Sequence, residues 1–269
     1  MSTLTKHRCI AVGDRSVSDA RRVSELGLSL PEASLTGIVV AGVLAPATTS
    51  GATRTGLQWN SQYAVAGDDV VHVESVVTRV EQSETGAEFD RHVRLVDEAG
   101  SIREEGIETW RSPEPSEVRF DPGVDFCTPA WGERLRESLS TDTAFASSLS
   151  TWDGTVGLRC TDSSGRAREL QLRIYRGTII DVARRVPGGA TFTLIAPAVT
   201  WVDLVFAERN DFMRRAISGE FSSSGDGYEY LRLTKPLDII IAHARSAARE
   251  WQSVSGHTLP LTCGREARP

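Results

Sequence analysis

The chain holds five histidines and four cysteines in 269 residues, and their spacing leaves few routes to side-chain catalysis. His72 lies in a valine-rich stretch, His92 alternates with charged neighbours, and His243 sits beside an apolar helical stripe. Lone histidines in such surroundings are more often structural or solvated than catalytic. Cys9, Cys127, Cys160 and Cys263 are far apart and form no CxxC pair, which argues against a zinc site and a disulfide framework and for a reducing compartment. No Ser-His-Asp order, GxSxG, HExxH or glycine-rich phosphate loop occurs. The reading therefore expects no metal and no cofactor. The carboxylates Glu25 and Glu32 precede an apolar run of small residues, Thr36 to Ser50. With His72 they are the candidates for acid–base work, which needs a positioned group that gains or loses a proton near neutral pH. Arg54, Arg184, Arg185, Arg214 and Arg215 could each meet a carboxylate or a phosphate, because a guanidinium fork suits both. Ordinary solvated arginine is the commoner role.

Bulk properties exclude several partners. A net charge of −6 offers no attraction to nucleic acid or to an anionic membrane. All but two of the 30 basic residues are arginine, the lysines being Lys6 and Lys235, and the arginines are scattered. The residues Met1 to Gly13 lack the apolar core of a secretion signal. The most hydrophobic run, Ile38 to Ala47, is short of the roughly 20 residues that span a bilayer. A cytoplasmic protein without membrane insertion is expected.

These residues must be positioned by two units. Arg111 to Gly123 concentrates proline, glycine and charge, the composition of a connecting segment. The expected organisation is a first domain over 1–111, a linker over 112–128, a second domain over 129–252 and a tail over 253–269. In the first domain the small-residue run is a helix. Strands follow at Gln58 to Ala64, at the β-branched Val70 to Val80, at Phe89 to Leu95, and at Ser101 to Trp110 after a turn at Asp97 to Gly100. The second domain opens with a helix over Pro129 to Leu149. Strands are expected at 151–160, 169–175, 178–186 and 191–195, and short helices at 199–207 and 211–217. In the last helix Pro236 occupies the first turn. Leu237, Ile240, Ile241, Ala244, Ala247, Ala248 and Trp251 then repeat at helical spacing. Helix-then-strands followed by mixed elements is an α+β pattern.

The second domain resembles the sterol carrier protein 2 family. The resemblance lies in Trp152-Asp-Gly-Thr-Val-Gly-Leu158, the strand Leu170 to Tyr175 with its turn at Arg176-Gly177, Ala190-Thr-Phe-Thr-Leu194, Trp201-Val-Asp-Leu204, Phe212-Met-Arg-Arg-Ala-Ile-Ser-Gly219-Glu-Phe221 and Gly225-Asp226. It implies a five-stranded sheet with helices on one side and an apolar tunnel for a sterol or acyl chain. Buried polar groups without partners cost about 1–3 kcal/mol each, so such a tunnel needs apolar walls. The candidates are Phe192, Leu194, Trp201, Leu204, Val205, Phe212, Met213, Ile217, Phe221, Ile240 and Ile241. Any one of them could equally fill a closed core.

The first domain resembles MaoC-like hot-dog dehydratases, through Val12-Gly-Asp14, Val39-Val40-Ala-Gly42-Val-Leu44, Tyr63-Ala-Val-Ala-Gly-Asp68 and Glu108-Thr-Trp110. That resemblance implies an antiparallel sheet around a central helix, a homodimer through this domain, and thioester chemistry. Hydratases of the family carry Gly-Asp-x-Asn-Pro-x-His before the central helix. Here Leu26 to Thr36 contains neither Asp nor His. Two functions stay open. One is an enzyme of acyl-thioester or polyketide metabolism, dehydratase-like or working by holding a flexible substrate in a reactive conformation. The other is a non-catalytic acyl or lipid carrier whose hot-dog domain only dimerises. Both expect a hydrophobic small-molecule ligand.

Overall fold

A computed structural model describes residues 10–28, 33–45, 51–83, 86–113, 118–121, 123–161 and 167–255. The first half contains β1 (Ile10–Ala11), β2 (Arg15–Val17), β3 (Arg21–Arg22), a 3-10 turn (Val23–Leu26), α1 (Ala33–Leu44), β4 (Thr53–Ser61), β5 (Val70–Ser83), β6 (Gly86–Asp97) and β7 (Ile102–Ser112). The strands form one sheet in the order β2-β5-β6-β7-β4, with β3 also on β5, and every pairing is antiparallel. The turn between β6 and β7 closes at Gly100, which adopts a left-handed φ of 78° that a side chain would disfavour. α1 lies on the face that carries Val71, Val73, Val93 and Leu95, and packs there through Val40 and Ala41. Alternation along the strands explains the packing, since β-branched residues at every second position give the sheet one apolar face.

The connecting stretch is not a free linker. Its β8 (Val118–Arg119) runs parallel to β1, and Val124, Phe126 and Cys127 are buried. The apolar residues among the prolines and charges outweigh them, because burying each contributes about 1.5–3 kcal/mol.

The second half contains α2 (Pro129–Leu139), α3 (Thr143–Ser148), β9 (Asp153–Thr161), β10 (Ala167–Tyr175), β11 (Thr178–Ala183), β12 (Phe192–Pro197), α4 (Ala198–Val205), α5 (Phe212–Ile217), β13 (Ser222–Gly225), α6 (Gly227–Arg232) and α7 (Thr234–Ser255). Its sheet has the order β11-β10-β9-β12-β13, with β12 parallel to β9 and the other pairs antiparallel. The expected single helix over Pro129 to Leu149 is two. Asp142 accepts a hydrogen bond from the Phe145 backbone N–H at 2.7 Å and so caps a new helix. Its other oxygen lies 2.8 Å from His243 Nε2 of α7. β13 and α6 were invisible to periodicity, because Ser222-Ser-Ser-Gly225 is wholly exposed and strand-like only through its pairing with β12. α4 ends where Arg245 of α7, itself buried, donates to the carbonyls of Leu204 and Ala207 at 2.5 and 2.7 Å. A cation at a helix C-terminus satisfies its free carbonyls and opposes its dipole.

The two halves share a core. Ile10, Val12, Val76, Val80 and Phe89 are continuous with Phe126, Trp131 and Trp201. Arg15 donates to Asp203 of α4 at 2.6 Å. The ring of Phe206 lies against Gly13, where a Cβ would come within 2.8 Å of it.

Candidate functional site

The helix-facing side of β7 carries Glu104, Gly106 and Glu108 at alternate positions, and both carboxylates are buried. Gly106 pairs with Trp59 of β4. The indole covers Gly106 so closely that a Cβ there would lie 2.2 Å from the ring. From this position Trp59 Nε1 donates to Glu104 Oε2 at 2.5 Å. Gly37 of α1 presses on the same carboxyl group, and a Cβ at that glycine would lie 2.0 Å from Oε2. The small-residue character of α1 thus lets a helix backbone approach a carboxylate. Glu104 is 0% exposed, and its Oε1 has no hydrogen-bond partner among the described residues. Leaving an acceptor unpaired in a dry interior costs about 1–3 kcal/mol. Such an oxygen can accept a hydrogen bond from a hydroxyl or amide of a ligand, or take a proton in a reaction.

Glu108 contrasts with it. Arg91 donates to its Oε2 through Nε at 2.9 Å and Nη2 at 2.6 Å, Trp110 Nε1 adds 3.0 Å, and Arg54 Nη1 reaches Oε1 at 3.0 Å. Burial raises the carboxyl, but Arg91, then Trp110 and Arg54, more than offset this and hold it below the usual carboxylate range. Glu108 is a satisfied structural anion. On the other face, His92 Nε2 lies 3.0 Å from Glu105 and holds that carboxyl below its ordinary range.

The sequence-based acid–base candidates do not converge. Glu25 projects from the 3-10 turn with its carboxylate 65% exposed and 3.9 Å from Arg22. His72 pairs across the sheet with Val96, on the face away from α1, and lies 3.4 Å from Glu74. The physical reason is the two-residue period of β5, which turns Val71 and Val73 toward α1 and therefore His72 away. Glu32 lies outside the described residues. Glu104, Trp59 and Gly37 were missed. The run Glu104-Glu-Gly-Ile-Glu108 reads as a solvated strand face, and the only hint of burial was Gly106, a glycine inside a strand that marks close approach of another group.

Of the candidate wall residues, Phe192, Leu194, Trp201, Leu204, Val205, Phe212, Phe221, Ile240 and Ile241 are all buried. They form a layer between the second sheet and its helices. Aromatic edges run through it: Trp131 to Trp201 at 6.1 Å, Trp201 to Phe221 at 5.3 Å, and Phe221 to Phe212 at 5.5 Å. Met213 and Ile217 are corrections, being 41% and 83% exposed. They stand four residues apart on α5 and so share one helix face, rotated away from the face of Phe212 that enters the core. Among the candidate arginines, Arg54 meets Glu108, Arg214 and Arg215 meet Asp211, and Arg184 and Arg185 border cavities. Among the described residues no His, Cys, Asp and Glu group could hold a metal ion, and no helix is long and apolar enough to cross a membrane.

The fold defines two known classes in series. An antiparallel sheet with a helix on one face is the hot-dog arrangement, and a five-stranded mixed sheet with helices on one side is the sterol-carrier arrangement. No family model and no curated protein matches the chain. Among solved structures, the chain is similar to sterol carrier protein 2 at 16% identity and a TM-score of 0.39, over 45% of this chain and 97% of that one. It is also similar to the MaoC-like dehydratase from Rhodospirillum rubrum, at 16% identity and 0.33, over 39% and 95%. An (R)-hydratase from A. caviae involved in PHA biosynthesis is similar at 14% identity and 0.31, over 39% and 98%. These likenesses concern the fold.

Proposed function

We propose that the protein binds a small molecule with a hydrophobic acyl, polyketide or sterol-like body, held between the second sheet and α4–α7. The observation that carries this reading is the cover of the apolar layer. α5 and α6 are six residues each, too short to be stable as isolated helices. They leave Met213, Ile217, Tyr228 and Leu231 exposed. Short elements of this kind belong to the part of a fold that opens most easily. Beneath them lies an aromatic layer that favours apolar ligands over water. The test is native mass spectrometry of the purified full chain, together with titration by a dansyl-labelled fatty acid while tryptophan emission is followed. A co-purified acyl or sterol mass, or saturable energy transfer from Trp201 and Trp131, is expected. Absence of both overturns the reading.

A second reading, an enzyme acting on that molecule in the first half, is favoured by Glu104. A buried carboxylate with one oxygen unpaired among the described residues is costly to keep unless a ligand uses it. Glu104→Gln should abolish turnover of hydroxyacyl or enoyl thioesters while the fold survives. If neither form turns them over, the carrier alternative stands. We also propose a homodimer through β4, whose nine residues are largely exposed and which ends the sheet among the described strands, an edge of the kind that invites a second strand. Sedimentation of the full chain tests this.

A further inference from the structure

The face of the second sheet turned away from the helices has a different character. Leu158, Leu170 and Leu194 point to the core, so their neighbours Arg159, Glu169, Gln171 and Thr193 point outward. The segment after β11 folds over these residues and, with them, borders an open cleft of about 440 Å³. It is tied down by Gln171, whose Oε1 accepts from the Val186 N–H at 2.8 Å. Gly188 and Gly189 then take left-handed φ values of 88° and 75°, which lets the chain double back within two residues.

Three guanidinium groups, Arg159, Arg184 and Arg185, line this cavity with one carboxylate, Glu169. Arg159 is committed, its Nε donating to Glu169 at 2.8 Å. Arg184 and Arg185 are exposed and form no ion pair with another described residue. In this they differ from the arginines of the first sheet, where Arg54, Arg79, Arg91 and Arg103 each meet a carboxylate. Arg184 also borders an adjoining cavity of about 540 Å³, where Arg168 is paired with Asp125 and Glu81 and Glu169 add negative charge, so the positive surplus belongs to the first cavity; Arg185 borders a shallower one at Gly188 and Gly189. Within the first cavity three guanidinium groups thus face a single carboxylate, a local positive surplus in a chain whose net charge is −6. Arg184 and Arg185 line the same cavity, so one anion bearing more than one charge can be attracted by both. Phosphate oxygens match their fork geometry.

We propose that this cleft is a second binding site, for a phosphate-bearing small molecule, with Arg184 and Arg185 holding the phosphate oxygens. It lies on the opposite face of the sheet from the apolar layer, so it does not depend on the acyl-binding reading.

Calorimetric titration of the full chain with inorganic pyrophosphate and with coenzyme A tests it. Pyrophosphate asks whether the phosphate alone is enough, and coenzyme A whether an organic body is needed as well. Saturable binding of either is expected. It should weaken by at least about tenfold in Arg184→Ala/Arg185→Ala, since charge-assisted hydrogen bonds are lost, and weaken with added salt. Arg214→Ala, an exposed arginine outside the cleft, should bind as the parent does. Both cleft arginines are exposed, so circular dichroism and the melting temperature should not move. No binding of either compound at millimolar concentration, or equal binding by the parent and the double variant, overturns the proposal.

Discussion

Replacing Trp59 by phenylalanine removes the indole N–H that donates to Glu104 Oε2 at 2.5 Å. The other carboxylate oxygen has no partner among the described residues, and the side chain is 0% exposed, so the variant strands a buried carboxylate. Loss of a hydrogen bond to a charged group costs about 1.5–3 kcal/mol. The smaller ring over Gly106 forfeits about 1 kcal/mol more of packing. Trp59→Phe should therefore destabilise by roughly 2.5–4 kcal/mol. Glu104→Met keeps the length of the side chain and removes the charge. Trp59 is only half-buried, so its N–H can turn to water, and replacing a buried charged group by an apolar one is often neutral or stabilising by about 1–4 kcal/mol. In the double variant only the packing loss remains. The cycle should then show a coupling of about 2 kcal/mol between the two sites. Urea unfolding of all four proteins at neutral pH measures it, with unchanged m-values as the check that the denatured state is the same. A coupling below about 0.5 kcal/mol, or a Glu104→Met variant destabilised by more than about 2 kcal/mol, would overturn this account of Glu104. In that case the carboxylate is a structural element and not a group kept at a cost to stability.

Two further outcomes follow from the same geometry. Gly37→Ala drives a methyl group into the Glu104 carboxyl and should lower stability by about 1–3 kcal/mol, a loss that Glu104→Ala largely relieves when melting temperatures of the single and double variants are compared. Glu105 and Glu108 are held below the usual carboxylate range in the folded state. Their contribution is complete above the unfolded carboxylate value, about 4.3, and disappears as pH falls through the lower folded values. Acid unfolding followed by circular dichroism should accordingly shift to higher pH in His92→Leu, which removes the partner of Glu105. An unshifted midpoint would contradict the assignment.

Much of the scaffold was legible in local pattern. The valine-rich alternation of β5, the Asp97 to Gly100 turn and the apolar stripe of α7 each follow from a short-range rule, two-residue or 3.6-residue periodicity or a glycine turn. The break between α2 and α3 also has a local cause, the capping carboxylate of Asp142, although helical periodicity runs on through it. β13 had no such signal, because a serine run becomes a strand only when β12 lies beside it.

The site obeyed the same division. That Met213 and Ile217 share a face of α5 follows from their spacing, but whether that face or the one with Phe212 points inward depends on where the sheet and α7 lie. Likewise the alternation of Glu104, Gly106 and Glu108 was readable, and the sign of its meaning was not. A strand with carboxylates on one side looks solvated until a helix of small residues settles on it. The chain by itself therefore determined which residues share a face, through the fixed geometry of helix and strand. Tertiary structure decided which faces are buried and which charges are left without partners, because burial and pairing depend on atoms far away along the chain.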